Sequence, residues 1–147
     1  MRTLVGQLLC TLLLGSAAAA HAAQPGAFEV TETRSALGSA QPKPPRTKNR
    51  CIGPALIDRQ GFLYPDQLLA AHFKSCKVTR SKANGKQSKE WTVACGRSLT
   101  AEAAQVNRGS NFDLTVDAKL FGSLKQTLRY QARSLGRACT EDDSPLE

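Results

Sequence analysis

The chain has 147 residues, a formal net charge of +8 and a pI near 9.6, with 41% hydrophobic and 5% aromatic residues. That length suits one domain with a modest core. No internal repeat or low-complexity array is present, and no apolar run reaches the roughly 20 residues of a membrane span.

The N-terminus reads as an export signal. Met1-Arg2-Thr3 carries one positive charge, an apolar run follows from Leu8 to Leu14, and small residues fill Gly15 to Ala23. A charged, an apolar and a small-residue region in that order is what a cleavable secretory signal requires. Ala20-His21-Ala22 is the best A-x-A match, which predicts a signal peptide over 1–22 and a cut after Ala22. Cys10 does not make a lipoprotein site, because Leu9 stands where a small residue is needed. Loss of Arg2 lowers the net charge from +8 to +7. Loss of Cys10 leaves Cys51, Cys76, Cys95 and Cys139. An even set of cysteines in an oxidising compartment predicts two disulfides. Zinc is disfavoured, since no two of them have C-x-x-C spacing.

Phe28 and Val30 alternate with Glu29 and Thr31, the pattern of a strand with one buried face. From Ala36 to Arg50 the chain turns to Gly, Ser, Pro, Gln and basic residues, with Pro42, Pro44 and Pro45 close together. This predicts an extended basic loop over 36–50, tethered at Cys51. A short turn is expected around Ala55 to Asp58. Pro65 to Phe73 is the helix candidate: Pro65 suits the first turn, Asp66 meets the positive end of the helix dipole, and Leu68, Leu69 and Phe73 fall on adjoining faces.

The remainder reads as β. Cys76, Val78 and Arg80 share one face of a run that meets Asn84-Gly85, and Trp91, Val93 and Cys95 share a face of the return run, a hairpin signature. Leu99 to Val106 suits a strand, though its alanines also suit a helix. Phe112, Leu114, Val116, Ala118 and Leu120 alternate with polar residues, as do Leu124, Leu128, Tyr130 and Ala132, which predicts a second hairpin with one wet face. An acidic tail follows over 141–147. The predicted fold is α+β and mostly β: a single antiparallel meander sheet, curved in the manner of a half-barrel, with one short helix and two disulfides, in one domain over 23–140.

Hairpin geometry selects a disulfide pairing. A two-residue turn at Asn84-Gly85 sets Cys76 opposite Val93, with Cys95 a diagonal neighbour about 7–8 Å away, beyond comfortable reach. A four-residue loop over Asn84–Gln87 sets Cys76 opposite Cys95 and keeps the apolar residues on one face. We therefore expect the wider loop, a Cys76–Cys95 bridge, and Cys51 paired with Cys139.

Several of these segments carry a resemblance. Pro25-Gly26-Ala27-Phe28-Glu29, Cys51-Ile52, Cys76-Lys77-Val78, Trp91-Thr92-Val93-Ala94-Cys95 and Arg133-Ser134-Leu135-Gly136-Arg137-Ala138-Cys139 come in that order. The chain resembles a family of short exported proteobacterial proteins of unknown function, whose members show P-G-x-W-E, a Trp before the third Cys, and R-x-L-G-x-C. Phe28 replaces the usual Trp, and two residues separate Gly136 from Cys139. The resemblance implies a periplasmic or secreted β domain with two disulfides. It implies no activity.

No catalytic or metal constellation stands out, and no cofactor motif such as G-x-G-x-x-G, a P-loop or H-E-x-x-H is present. After cleavage His72 is the only histidine, and a lone histidine at a helix end is more often structural than catalytic. Asp113 and Asp117 share the wet face of a strand, near Arg129, which leaves open a small periplasmic enzyme with an unrecognised polar site. The basic balance points elsewhere. Lys43, Arg46, Lys48 and Arg50 occur in one loop without an acid, and Lys74, Lys77, Arg80, Lys82, Lys86 and Lys89 crowd the first hairpin as the candidate anion-binding set. A solvated basic surface is the plainer reading of such residues. If they bind, the partners are anionic envelope components, lipid or lipopolysaccharide, or an acidic protein. Nucleic acid is not expected, because the basic stretches lack a stacking platform of aromatic residues. The sequence thus predicts a non-enzymatic binding or interaction module of the cell envelope, in the periplasm or secreted.

Overall fold

The structure is a computed structural model that describes residues 22–36, 43–71, 73–121 and 124–146. The expected signal peptide, except Ala22, lies outside the described residues, as do His72 and part of the proline-rich stretch. Eight strands and one helix follow in chain order: β1 (Gly26–Ala36), β2 (Arg46–Ile52), α1 (Pro65–Ala70), β3 (Cys76–Asn84), β4 (Ser88–Cys95), β5 (Leu99–Arg108), β6 (Asn111–Leu120), β7 (Leu124–Ser134) and β8 (Ser144–Pro145).

All eight strands form one sheet in the order β3-β4-β5-β6-β7-β1-β2-β8. Strands β3 to β7 are the expected meander. The expectation of a purely antiparallel sheet is corrected at the other side. There β1 pairs antiparallel with both β7 and β2, and β8 runs parallel to β2, with Arg50 beside Ser144 and Cys51 beside Pro145. Without β8 the backbone of β2 would be an open edge, and even a two-residue strand caps part of it. The two end strands, β3 and β8, do not pair with each other, so the sheet is open.

A second correction falls on the proline-rich stretch, whose last residues are strand rather than loop. Proline stops at Pro45, and Arg46-Thr47-Lys48-Asn49-Arg50 is free to donate every ladder hydrogen bond, opposite Glu32 to Phe28 of β1. In β5 the choice between helix and strand falls to strand, because burial alternates strictly from Leu99 to Arg108.

The first hairpin sets Cys76 opposite Cys95 and Val78 opposite Val93, then shifts register between Val78 and Arg80, so that Arg80 faces Thr92. The bulge at Thr79 moves Arg80 to the opposite face from Val78, against the sequence expectation. It also shortens the loop: Asn84 pairs with Ser88, and Gly85, at φ 70°, begins a three-residue turn in place of the expected four. Disulfides join Cys76 to Cys95, with Cα atoms 3.9 Å apart, and Cys51 to Cys139, 5.4 Å apart.

One face of the sheet is the core. Phe28 and Val30 of β1, Ile52 of β2, Trp91 and Val93 of β4, Phe112, Leu114 and Val116 of β6, and Tyr130 of β7 are all buried there. The segment between β2 and β3 covers this face with Ile57, Phe62, Leu63 and, from α1, Leu68 and Leu69. Phe62 meets Trp91 edge-on at 6.2 Å between ring centroids. The helix is shorter than expected and its first turn has no side-chain cap, so it is held by packing against β3 and β4.

Polar bonds fix the cover in place. Gln105, fully buried on β5, accepts from the Leu63 amide at 2.9 Å and donates to the Gly61 carbonyl at 2.8 Å and to Asn107 Oδ1 at 2.7 Å. Asp58 accepts from the Gln60 and Phe62 amides, each at 2.9 Å. The cover packs on β3 and β4 through α1 and is bonded to β5 through Gln105. The inner face of β1, β2 and β7, where Val30 and Tyr130 are themselves buried, holds the site described next.

Candidate functional site

Strand pairing fixes what the inner face of β1, β2 and β7 displays. Val30, Glu32 and Arg34 of β1 lie beside Ala132, Tyr130 and Leu128 of β7, and Val30 and Glu32 lie beside Lys48 and Arg46 of β2. Residues two apart on a strand point to one face, so Arg46, Lys48 and Arg50 project on the same side as Val30 and Tyr130. With Lys43 and Pro44 before β2 and Leu146 after β8, they line an open cavity of about 210 Å³. Its floor is apolar, from Val30, Leu146 and the Tyr130 ring, and its walls are cationic.

The charges in this cavity are unequal in their commitments. Glu32 is held by the Arg34 guanidinium, and that bond raises the Arg34 pKa further. Arg50 donates through Nη1 to Ser144 Oγ at 3.1 Å and to the Pro145 carbonyl at 3.0 Å, which ties β8 to the wall. Lys43, Arg46 and Lys48 make no hydrogen bond or ion pair with any described residue through their side chains. Burial pushes the Tyr130 phenol up to about 12, and the Glu32 charge adds to the shift while Arg34 and Arg50 oppose it. Tyr130, like any phenol, is protonated at neutral pH, and from the lining of a cationic pocket it can donate a hydrogen bond.

The basic residues singled out in the first hairpin do not assemble into one such site. Lys77, Arg80 and Lys82 share the outer face of β3, opposite Ala94, Thr92 and Glu90. Arg80 and Lys82 line a shallow outer groove in which Glu90, Glu102 and Asp117 balance them. Lys74 is exposed before β3, and Lys86 sits in the turn. Lys89 points to the inner face, where its ammonium lies 3.3 Å from Asp58 Oδ2, 5.4 Å from the Phe62 ring centroid and 5.5 Å from that of Trp91. Its charge is spent on holding the cover.

Asp113, Asp117 and Arg129 do share the outer face of β6 and β7. Four residues along a strand separate the carboxylates by about 13 Å, beyond the roughly 5–9.5 Å over which a carboxylate pair divides acid and base work. Each is also engaged: Asp113 with Arg108 at 3.0 Å, and Asp117 with the Thr127 hydroxyl at 2.5 Å. Among the described residues, no group of three or more His, Cys, Asp and Glu is placed to hold a metal ion. No helix there is long and apolar enough to cross a membrane.

The expected loop over 36–50 does not foreshadow the cationic pocket, because side-chain direction has no period in a loop. The signal was present in Arg46-Thr47-Lys48-Asn49-Arg50, a strict alternation that places three cations on one face once the segment is a strand. A family model described as a protein of unknown function (DUF3617) matches residues 23–139. No curated protein and no solved structure matches the chain.

Proposed function

The chain belongs to this DUF3617 family of proteins of unknown function, and from its pocket we propose a non-enzymatic binding module of the cell envelope that takes an anionic ligand on the inner face of β1 and β2. The observation that carries this reading is the set of three cations, Lys43, Arg46 and Lys48, without a side-chain partner among the described residues and set around an apolar floor. Cations gathered in a concavity concentrate the field that an anion meets, which raises both encounter rate and local concentration. The two disulfides suit an oxidising compartment, and the export signal read at the N-terminus supports the same placement. The ligand is then an anionic envelope component, lipid or lipopolysaccharide.

Cosedimentation with anionic phospholipid vesicles and with lipopolysaccharide, at low and at physiological salt, tests the proposal. Wild type should be retained at low salt and released as salt rises, since exposed charges are screened over about 8 Å at physiological ionic strength. The double variant Arg46→Glu/Lys48→Glu should lose retention, and Lys77→Glu/Lys82→Glu on the outer face of β3 should keep it. Equal loss in both variants would reduce the effect to net charge, and no retention on any anionic surface would remove the reading.

A further inference from the structure

We infer that the group recognised in this pocket is a phosphate monoester, not a carboxylate or a phosphodiester. The inference rests on the anion-binding reading above and adds the chemistry of the ligand.

Charge is the first argument. Arg34, Lys43, Arg46, Lys48 and Arg50 line the cavity against a single acid, Glu32. A monoanion, whether a fatty-acid carboxylate or a phosphodiester, leaves most of that repulsion uncompensated. A monoester phosphate carries about −1.5 to −2 charges at pH 7 and offers three terminal oxygens.

Donor geometry is the second. Three of the five cations are guanidiniums, whose planar forks match phosphate oxygens two at a time. Arg34 and Arg50 each already serve one neighbour, Glu32 and β8, yet a guanidinium has five N–H donors and keeps others for a ligand. Their existing bonds hold the forks in place before the ligand arrives. The Tyr130 phenol adds a neutral donor from below. This set of convergent donors has more hydrogen bonds to give than two carboxylate oxygens can accept.

Size is the third. The cavity of about 210 Å³ falls below the roughly 300–1,000 Å³ of sites that enclose drug-sized molecules. It admits a headgroup and no acyl chain. The same phosphate chemistry is offered by a lipid headgroup and by a free sugar phosphate, and the experiment separates the two.

Calorimetric titration of the full mature protein with glucose 6-phosphate and with glucuronate compares the soluble forms. Vesicles containing phosphatidic acid, set against vesicles with an equal fraction of phosphatidylglycerol, compare the lipid forms. The monoester should bind about tenfold more tightly than its partner in at least one pair. That preference should shrink from pH 7.5 to pH 5, where the phosphate loses its second charge near pH 6. Preference only among the vesicles assigns a lipid source, and preference among the soluble probes assigns a free one. Tyr130→Phe, which keeps the ring in the core, should weaken the monoester by about three- to tenfold, as for one lost hydrogen bond. Glucuronate or phosphatidylglycerol binding as tightly as the monoesters would overturn the inference and leave the anion-binding reading intact. Failure of every anionic probe would overturn both.

Discussion

Gln105 Oε1 accepts the Leu63 amide proton at 2.9 Å, across a sequence separation of 42 residues and with both residues buried. This bond, with the one from Gln105 Nε2 to the Gly61 carbonyl, couples the covering segment to the middle of the sheet. Gln105→Leu has similar volume but leaves an amide and a carbonyl without partners in the core. An unsatisfied buried polar group costs about 1–3 kcal/mol, so the variant should lose about 2–4 kcal/mol in urea unfolding. Hydrogen exchange should show the loss concentrated at residues 57–63. A variant as stable as wild type would mean that the cover is held by apolar packing alone.

Gly61 is constrained in a different way. Its φ is 80°, and a Cβ added there would stand 2.7 Å from the Ala23 nitrogen and 2.9 Å from the Ala23 oxygen. Backbone cannot yield as a flexible side chain would. Gly85 has a similar φ of 70° but nothing within 4 Å of its would-be Cβ. Both alanine substitutions incur the left-handed cost of about 1–2 kcal/mol, and only Gly61→Ala adds the collision. Thermal melts should therefore rank Gly61→Ala well below Gly85→Ala. Equal melting temperatures would show that the Ala22–Gln24 segment moves aside without cost.

Asp143 gives the fold a pH dependence. Its carboxylate accepts from Arg137 Nη1 at 2.6 Å, from Arg137 Nη2 at 2.9 Å and from the Thr140 amide at 2.8 Å. The Arg137 guanidinium first, and then the Thr140 amide, hold its pKa well below the usual carboxylate range. A group whose folded pKa is depressed stabilises the fold fully above its unfolded pKa, about 3.9 for Asp, and loses that contribution as pH falls below it. The urea midpoint of wild type should fall from pH 5 to pH 2 more steeply than that of Asp143→Asn. Parallel slopes for the two proteins would show that Asp143 does not drive the acid limb.

Tyr130 carries the opposite sign. Its phenol is pushed up to about 12, chiefly by burial. The folded state then holds the proton more tightly than the unfolded state, so stability is full below pH 10 and declines as pH rises from there toward 12. In a Tyr64→Phe variant Tyr130 is the sole tyrosine, and its phenolate absorbance should rise with a midpoint near pH 12. A midpoint near pH 10 would show that the Tyr130 hydroxyl is solvated in the folded protein and that its burial does not set the alkaline limb of stability.

The sequence made the meander legible because β4 to β7 each bury one face, and a buried face writes a period of two in apolar residues. Phe112 to Ala118 and Leu128 to Ala132 are clear examples. The pairing of β6 with β7 follows from that pattern with no further information. The pocket side left no such trace. Arg46, Lys48 and Arg50 alternate with Thr47 and Asn49, polar against polar, so no hydropathy contrast marks the strand. The β3 bulge was hidden for the same reason: beyond Val78 every residue of β3 is exposed, so a shift of one position exchanges polar side chains for polar ones. The parallel strand β8 is two residues long, too short to show any period. Its place depends on contacts distant in sequence, among them the Cys51–Cys139 bridge and the Leu146 amide donating to the Cys51 carbonyl at 3.1 Å.

That bridge sits at the end of the pocket wall, and its removal should be read in binding as well as in stability. Cys51–Cys139 spans 88 residues and Cys76–Cys95 spans 19. In the chain-entropy account the longer loop contributes about 4.6 kcal/mol and the shorter about 3.2 kcal/mol. The paired substitution Cys51→Ser/Cys139→Ser should thus destabilise more than Cys76→Ser/Cys95→Ser. The two should also separate by function. Cys51 lies next to the last residue of the strand that carries Arg46, Lys48 and Arg50, and freeing Cys139 loosens the return of the chain to β8, which Arg50 holds. Loss of the first bridge should therefore weaken retention on anionic vesicles under conditions where both variants are still folded by circular dichroism. Loss of the second should leave retention unchanged, because β3 and β4 lie at the far side of the sheet from the pocket. A reversal of that order in binding would place the anion site on the first hairpin after all.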